Sequence, residues 1–122
     1  MLVTVAIFTR NRCDALERTL RSLNAVVVPT ELRWEIIVVD NASSDATPDV
    51  VGSFETTLPV RRVMDARVGL SHARNAAVAT ARGEYVLWID DDVLVDTGWL
   101  SAYYYAFRVW PEAVFFGGPI VP

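Results

Sequence analysis

The chain has 122 residues, 52% of them hydrophobic, with a mean hydropathy of +0.28 and a net charge of −4. That length suits one domain with a real core, and that composition is too apolar for a disordered segment. All the basic residues are arginine, and an acidic balance without a basic stripe argues against a nucleic-acid partner. The single cysteine, Cys13, excludes an internal disulfide and fits a reducing cytoplasm. No apolar stretch reaches the ~18 residues of a membrane span, and the N-terminus lacks the features of a signal peptide. A cytoplasmic domain is expected, with peripheral attachment to a membrane left open.

Apolar runs alternate with helix-like segments, the pattern of an α/β fold with a parallel sheet. Leu2 to Phe8 is the first strand. Cys13 to Asn24 is a helix with Leu16, Leu20 and Leu23 on one stripe and a Glu17–Arg21 pair four residues apart. Trp34 to Val39 is the second strand. Thr47-Pro48-Asp49 reads as an N-cap, a proline at the first helical position and an acid in the first turn, opening a helix to about Phe54. Val60 to Met64 is a short third strand. Ser71 to Ala81 is an alanine-rich helix stopped by Gly83, and Tyr85 to Ile89 is a fourth strand, apolar enough to be buried on both faces. A last helix starts after Thr97 and ends before Pro111, and Ala113 to Phe116 is a candidate fifth strand before the Gly117-Gly118-Pro119 bend.

Polar residues gather where the first four strands stop. They are Thr9-Arg10-Asn11, then Asp40-Asn41, then Asp65 and Arg67, and finally Asp90-Asp91-Asp92. Ligands of open α/β sheets bind beyond the carboxyl ends of the strands, so four such clusters describe one site. Three adjacent carboxylates ~5 Å apart repel by roughly 3 kcal/mol per pair at an effective dielectric of ~20, so a positive partner is expected there. In extended backbone, alternate residues share a side, so Asp90 and Asp92 are placed to share one divalent cation while Asp91 points away. Mg2+ and Mn2+ take one or two carboxylates and fill the rest of the shell with water and substrate phosphate. The alternative is a solvated acidic turn.

Asp40 is suited to accept a hydrogen bond from a base N–H or a sugar hydroxyl; otherwise it is a turn-forming acid. Gly69 leads into a helix start whose free N–H groups, with Arg74, suit an anionic group, and Arg67 carries a similar argument. His72 reads as a helix-surface or packed histidine rather than a metal ligand. Trp99, Tyr103, Phe107 and Trp110 form a stripe at helical spacing, most simply core packing. The neighbouring Tyr104 and Tyr105 cannot all face the same way, which leaves aromatic surface for a partner. Cys13, beside Asp14, is given a structural role.

With these residues in place, the chain resembles the nucleotide-binding half of a family 2 glycosyltransferase with the GT-A fold, from Val3 to Val121. Four ordered segments carry the resemblance. They are Val5 to Arg12 with its Thr-x-Asn-Arg turn, Glu35 to Asp45, Gly69 to Asn75, and Gly83-Glu84-Tyr85 running into Asp90-Asp91-Asp92. The resemblance implies a three-layer α/β/α architecture with a mostly parallel, Rossmann-like sheet in a single domain, 1–122. It also implies a nucleotide-diphosphate sugar donor and Mn2+ or Mg2+. By this analogy Thr9 and Asp40 sit near the base and Asn11 lines the same pocket. Arg74 faces the diphosphate, Asp90 the ribose or a metal-bound water, Asp92 the metal, and Asp91 the nucleotide or donor sugar. The implied reaction is inverting transfer of the sugar to an acceptor hydroxyl, on a saccharide, lipid-linked or protein acceptor that the residues do not specify.

Phe8 stands where many relatives carry proline, Arg67 where asparagine is frequent, and Ala77 where glycine is common. The sequence stops about where the acceptor-binding half of the family begins, so the expectation is a fragment truncated at its C-terminus, with the general base outside it. The rival readings are a non-catalytic nucleotide-binding domain and a module that forms homo-oligomers through its aromatic last helix. A phosphotransfer receiver domain would need a lysine, and a haloacid-dehalogenase-type phosphatase would need its Asp-x-Asp after the first strand. Neither requirement is met.

Overall fold

The computed structural model describes residues 1–65 and 70–109. Strands and helices alternate in the order β1 (Leu2–Thr9), α1 (Cys13–Asn24), β2 (Arg33–Asp40), α2 (Thr47–Phe54), β3 (Val60–Met64), α3 (Leu70–Thr80), β4 (Tyr85–Asp90) and α4 (Trp99–Val109). The four strands make one parallel sheet in the order β3-β2-β1-β4. Its register aligns the strand tips: Thr9 lies opposite Asp40, and Phe8 opposite Asp90.

The two-residue period of the strands sorts the core into two layers. Val3, Val5 and Ile7 of β1, Ile36 and Val38 of β2, and Leu87 and Ile89 of β4 pack with Leu16, Leu20 and Leu23 of α1, Val51 of α2, and Trp99, Leu100 and Phe107 of α4. Ala6, Ile37 and Val39 face the other way, onto Ala77 of α3. Helices therefore cover both faces, the three-layer arrangement expected. The leucine stripe of α1 is fully buried, while its Glu17–Arg21 pair, 2.6 Å apart, lies in solvent and contributes little. The aromatic stripe of α4 packs as expected over its described part. Trp99 and Phe107 are buried, the Tyr85 and Phe107 rings stack at 3.9 Å, and Tyr105 is exposed.

Three local expectations are corrected. Thr47 is not the cap of α2; Ala46 is, and Asp45 does the capping work, its Oδ1 accepting from the Thr47 N–H at 3.1 Å and the Thr47 hydroxyl at 2.5 Å. Strand β4 is not buried on both faces. Among the described residues it is an edge strand, and Trp88 is 41% exposed. Gly83 follows α3 by three residues rather than stopping it. A Cβ there would lie 2.6 Å from both the Thr4 nitrogen and its hydroxyl, so close approach to β1 requires the glycine. Gly69, Trp110, the Ala113–Phe116 strand and the bend at 117–119 lie outside the described residues.

Opposite the strand tips, a polar network ties α3 to the sheet. Glu35 accepts from the Thr4 hydroxyl at 2.6 Å, the Arg82 N–H at 2.7 Å and the Arg61 guanidinium at 3.1 Å. Arg61 also donates to the Thr80 carbonyl at 2.5 Å. Although burial opposes them, these partners hold the Glu35 carboxyl below its usual range. With its C-terminus fixed at this edge, α3 starts at the edge where the site lies.

Candidate functional site

The tips Thr9, Asp40 and Asp91 converge at the carboxyl ends of the strands, on the side covered by α1 and α2. Thr9 is fully buried at the end of β1 and donates its hydroxyl to Asp91 Oδ2 at 2.9 Å. Its carbonyl accepts from the Asn41 N–H at 3.0 Å, and the Asp40 carbonyl accepts from the Asp65 N–H at 3.0 Å, so the ladder continues past the strand ends. Asp40 is 1% exposed, and its two oxygens have separate partners. Oδ1 accepts from the Ser43 N–H at 3.0 Å, and Oδ2 pairs with Arg62 of β3 at 3.1 Å. Such partners replace the hydrogen bonds that a buried carboxylate loses when it leaves water.

The loops after β1 and β2 are laced together. Asn11, at φ 52, donates its N–H to the Ser43 hydroxyl at 2.9 Å, and its Oδ1 accepts from the Ser44 N–H at 2.7 Å. Asparagine tolerates that left-handed conformation, whereas Ala42, at φ 58, adopts it at a cost of about 1 kcal/mol. Asp45 Oδ2 accepts from the Cys13 N–H at 3.0 Å. The Thr47 hydroxyl, followed by the Cys13 contacts, holds the Asp45 carboxyl down at about 2, against the opposing effect of burial. In return Asp45 raises the Cys13 thiol, which suits the structural role expected of it rather than a nucleophile.

Asp90, Asp91 and Asp92 do not continue as one extended run. Strand β4 ends at Asp90, and the chain turns at Asp91 and Asp92. Asp90 is exposed on the α3 side of the sheet. Asp91 is 5% exposed and held by Thr9, while the Thr19 hydroxyl of α1 lies 2.9 Å from its carbonyl and 2.8 Å from that of Val93. The positive partner expected for the triplet is present as Arg12. Its guanidinium reaches Asp91 Oδ1 at 3.3 Å and Asp92 Oδ2 at 3.1 Å, so Asp91 and Asp92 share a partner. Burial pushes the Asp91 carboxyl above its usual range, and Thr9 and Arg12 only partly restore it.

The structure thus joins Thr9, Asp40 and Asp91 through strand register and hydrogen bonds, with Asn11 bracing the loops and Asp92 tied in through Arg12. Arg74 and His72 are exposed on α3, where the described residues give Arg74 no link to the others. Arg67 lies outside the described residues. Arg12, Arg62, Ser43 and Thr19 were not singled out from sequence. Arg12 stood within the Thr-x-Asn-Arg turn, but its target lies 80 residues away in the chain.

Comparison with known proteins places this site in a family. The model of glycosyl transferase family 2 matches residues 4–121. An uncharacterized glycosyltransferase, YfnE of Bacillus subtilis (strain 168), is 34% identical over 77% of this chain and 24% of its own length. A validoxylamine A glucosyltransferase of Streptomyces hygroscopicus subsp. jinggangensis (strain 5008) is 35% identical over 76% of this chain and 22% of its own. The chain therefore spans about a quarter of the length of these relatives. Among solved structures, S. aureus TarS 1-349 superposes with a TM-score of 0.81 at 26% identity, covering 89% of this chain and 33% of that one, and it is also known in complex with UDP-GlcNAc. The mannosyltransferase PcManGT of Pyrobaculum calidifontis, in complex with GDP-Man and Mn2+, gives a TM-score of 0.71 at 34% identity over 79% of this chain and 29% of that one. Strand order, aligned polar tips and a family match over residues 4–121 agree: the chain belongs to glycosyl transferase family 2.

Proposed function

We propose that the chain is the donor-binding domain of a glycosyltransferase that takes a nucleotide-diphosphate sugar and transfers the sugar, with inversion, to an acceptor hydroxyl. The observation that carries the reading is the meeting of Thr9, Asp40 and Asp91 at the carboxyl edge of a parallel sheet in a chain of this family. Its neighbours TarS and PcManGT are known with UDP-GlcNAc and with GDP-Man and Mn2+. In this reading Thr9 and Asp40 lie by the base, Asn11 holds the loop beside it, and Arg67 and Arg74 serve the diphosphate. Asp90 and Asp91 approach the ribose and donor sugar. We place the domain in the cytoplasm.

Asp92, with Asp90, is proposed to hold Mn2+ or Mg2+. Both are exposed carboxylates, and among the described residues no group of three or more His, Cys, Asp or Glu stands together as a closed metal cage. Such a donor set fits an ion that completes its shell with water and substrate phosphate. When bound, the cation supplies Lewis-acid stabilisation to the departing diphosphate. Titration calorimetry with UDP and with GDP, each with and without Mn2+, tests the proposal. The expected result is binding in the micromolar to millimolar range, strengthened by the metal. Equal heats with and without Mn2+ would overturn the role given to the metal, and absence of binding by either nucleotide would sink the donor-binding role.

A further inference from the structure

Asp92 carries the metal in the function proposed above, yet its carboxylate already has a cation on it. The Arg12 guanidinium bridges Asp91 Oδ1 at 3.3 Å and Asp92 Oδ2 at 3.1 Å. We propose that Arg12 is a built-in counter-cation, holding Asp92 in the metal-free protein and leaving it when a divalent ion binds, so that Arg12 sets the affinity for the metal. The inference rests on the reading that Asp92 is a metal ligand.

The two ends of the bridge are unequal, and the inequality says which one opens. Asp91 is buried and held by Thr9, so its carboxylate cannot follow the guanidinium outward. The Asp92 side chain is 49% exposed and that of Arg12 is 52% exposed, so both have room to part. The Arg12 backbone is fixed, because its carbonyl accepts the Leu16 N–H at 2.9 Å at the start of α1. Only the side chain needs to move. It can keep Asp91 while releasing Asp92, which leaves a partner for the buried acid throughout. A half-exposed ion pair of this kind is worth up to about fivefold in an equilibrium constant, and a nearby guanidinium adds repulsion to an arriving divalent ion.

The test is a Mn2+ titration followed by loss of the free-ion electron paramagnetic resonance signal, without nucleotide and again with UDP. Wild type is compared with Arg12→Gln, the Arg12→Gln/Asp92→Asn pair and Arg10→Gln. Arg10 is an exposed neighbour with no ion pair among the described residues, so it reports the diffuse effect of losing one positive charge. The expected result is about fivefold tighter Mn2+ binding by Arg12→Gln, a gain abolished by adding Asp92→Asn, and a clearly smaller change for Arg10→Gln. Equal affinity of wild type and Arg12→Gln would overturn the proposal. So would a gain that survives Asp92→Asn or is matched by Arg10→Gln. Failure of the underlying metal assignment looks different: no variant would retain Mn2+ even with UDP present, and the proposal would fall with it. Far-ultraviolet circular dichroism of each variant, unchanged if the fold is intact, guards against reading an unfolding as a binding effect.

Discussion

Thr9→Val is the sharpest probe of the site, because it changes one buried atom and almost no volume. The Thr9 hydroxyl is 0% exposed and is a donor, at 2.9 Å, to a carboxylate that is itself only 5% exposed. A hydrogen bond to a charged group is worth about 1.5–3 kcal/mol, and its loss leaves Asp91 with Arg12 as its remaining side-chain partner among the described residues. We expect a destabilisation of about 2 kcal/mol at neutral pH, read as a shift in the urea midpoint with an unchanged slope. The effect depends on pH with a definite sign. The folded-state pKa of Asp91 is raised, so the folded protein binds that proton more tightly than the unfolded chain does. Stability from this group is therefore present at low pH and is lost as pH rises through the folded-state pKa, where Thr9 limits the loss. Once Asp91 is protonated, the hydroxyl serves a neutral acceptor, and the cost of Thr9→Val falls to about 1 kcal/mol. Thr9→Ser, which keeps the donor, recovers most of the stability. A cost below about 0.5 kcal/mol at neutral pH, or one equal at both ends of the titration, would refute this account of Asp91.

Asp45→Asn removes a carboxylate whose pKa is held at about 2, against an ordinary value of 3.8. Its stabilisation is present above the ordinary value and lost as pH falls toward about 2, so the variant shows a flatter acid limb in urea melts at graded pH, with a loss of about 1 kcal/mol at neutral pH. Gly83→Ala drives a methyl to 2.6 Å from the Thr4 backbone nitrogen, so β1 or the turn must shift. A destabilisation of about 1–3 kcal/mol in the same assay is expected, while an unchanged midpoint would show that the turn yields freely. Asp92→Asn leaves the urea midpoint within about 0.5 kcal/mol because the side chain is half-exposed. It abolishes the extra thermal protection that Mn2+ gives in the presence of UDP, read by differential scanning fluorimetry.

Chain-local patterns were legible in the sequence, and contacts made across the sheet were not. Leu16, Leu20 and Leu23 fixed α1 to its observed limits because a helical stripe needs only its own residues to be seen. The strand ends at Thr9 and Asp40 were each placed within one residue for the same reason. Trp88 shows the limit. Five apolar residues in a row fit a strand buried on both faces, but burial depends on what lies beside the strand, and β4 has β1 as its single described neighbour. The site divides in the same way. Residue spacing indicated that the acid triplet needed a positive charge. It could not show that Arg12 supplies it, since the pairing exists only once β1 and β4 lie side by side. Nor could it show that Asn11 spends its side chain on Ser44, and its backbone N–H on Ser43, rather than facing an open pocket.

The lacing of the two loops has a consequence for how the domain tolerates change. Asn11 to Ser43 and Ser44, Cys13 to Asp45, and Asn41 to Thr9 make three ties between segments far apart in sequence. A perturbation at any one strand tip is shared among them instead of being absorbed locally. Pairs of substitutions drawn from opposite loops therefore combine non-additively, whereas pairs on the outer surfaces of α1 and α2 behave as independent events.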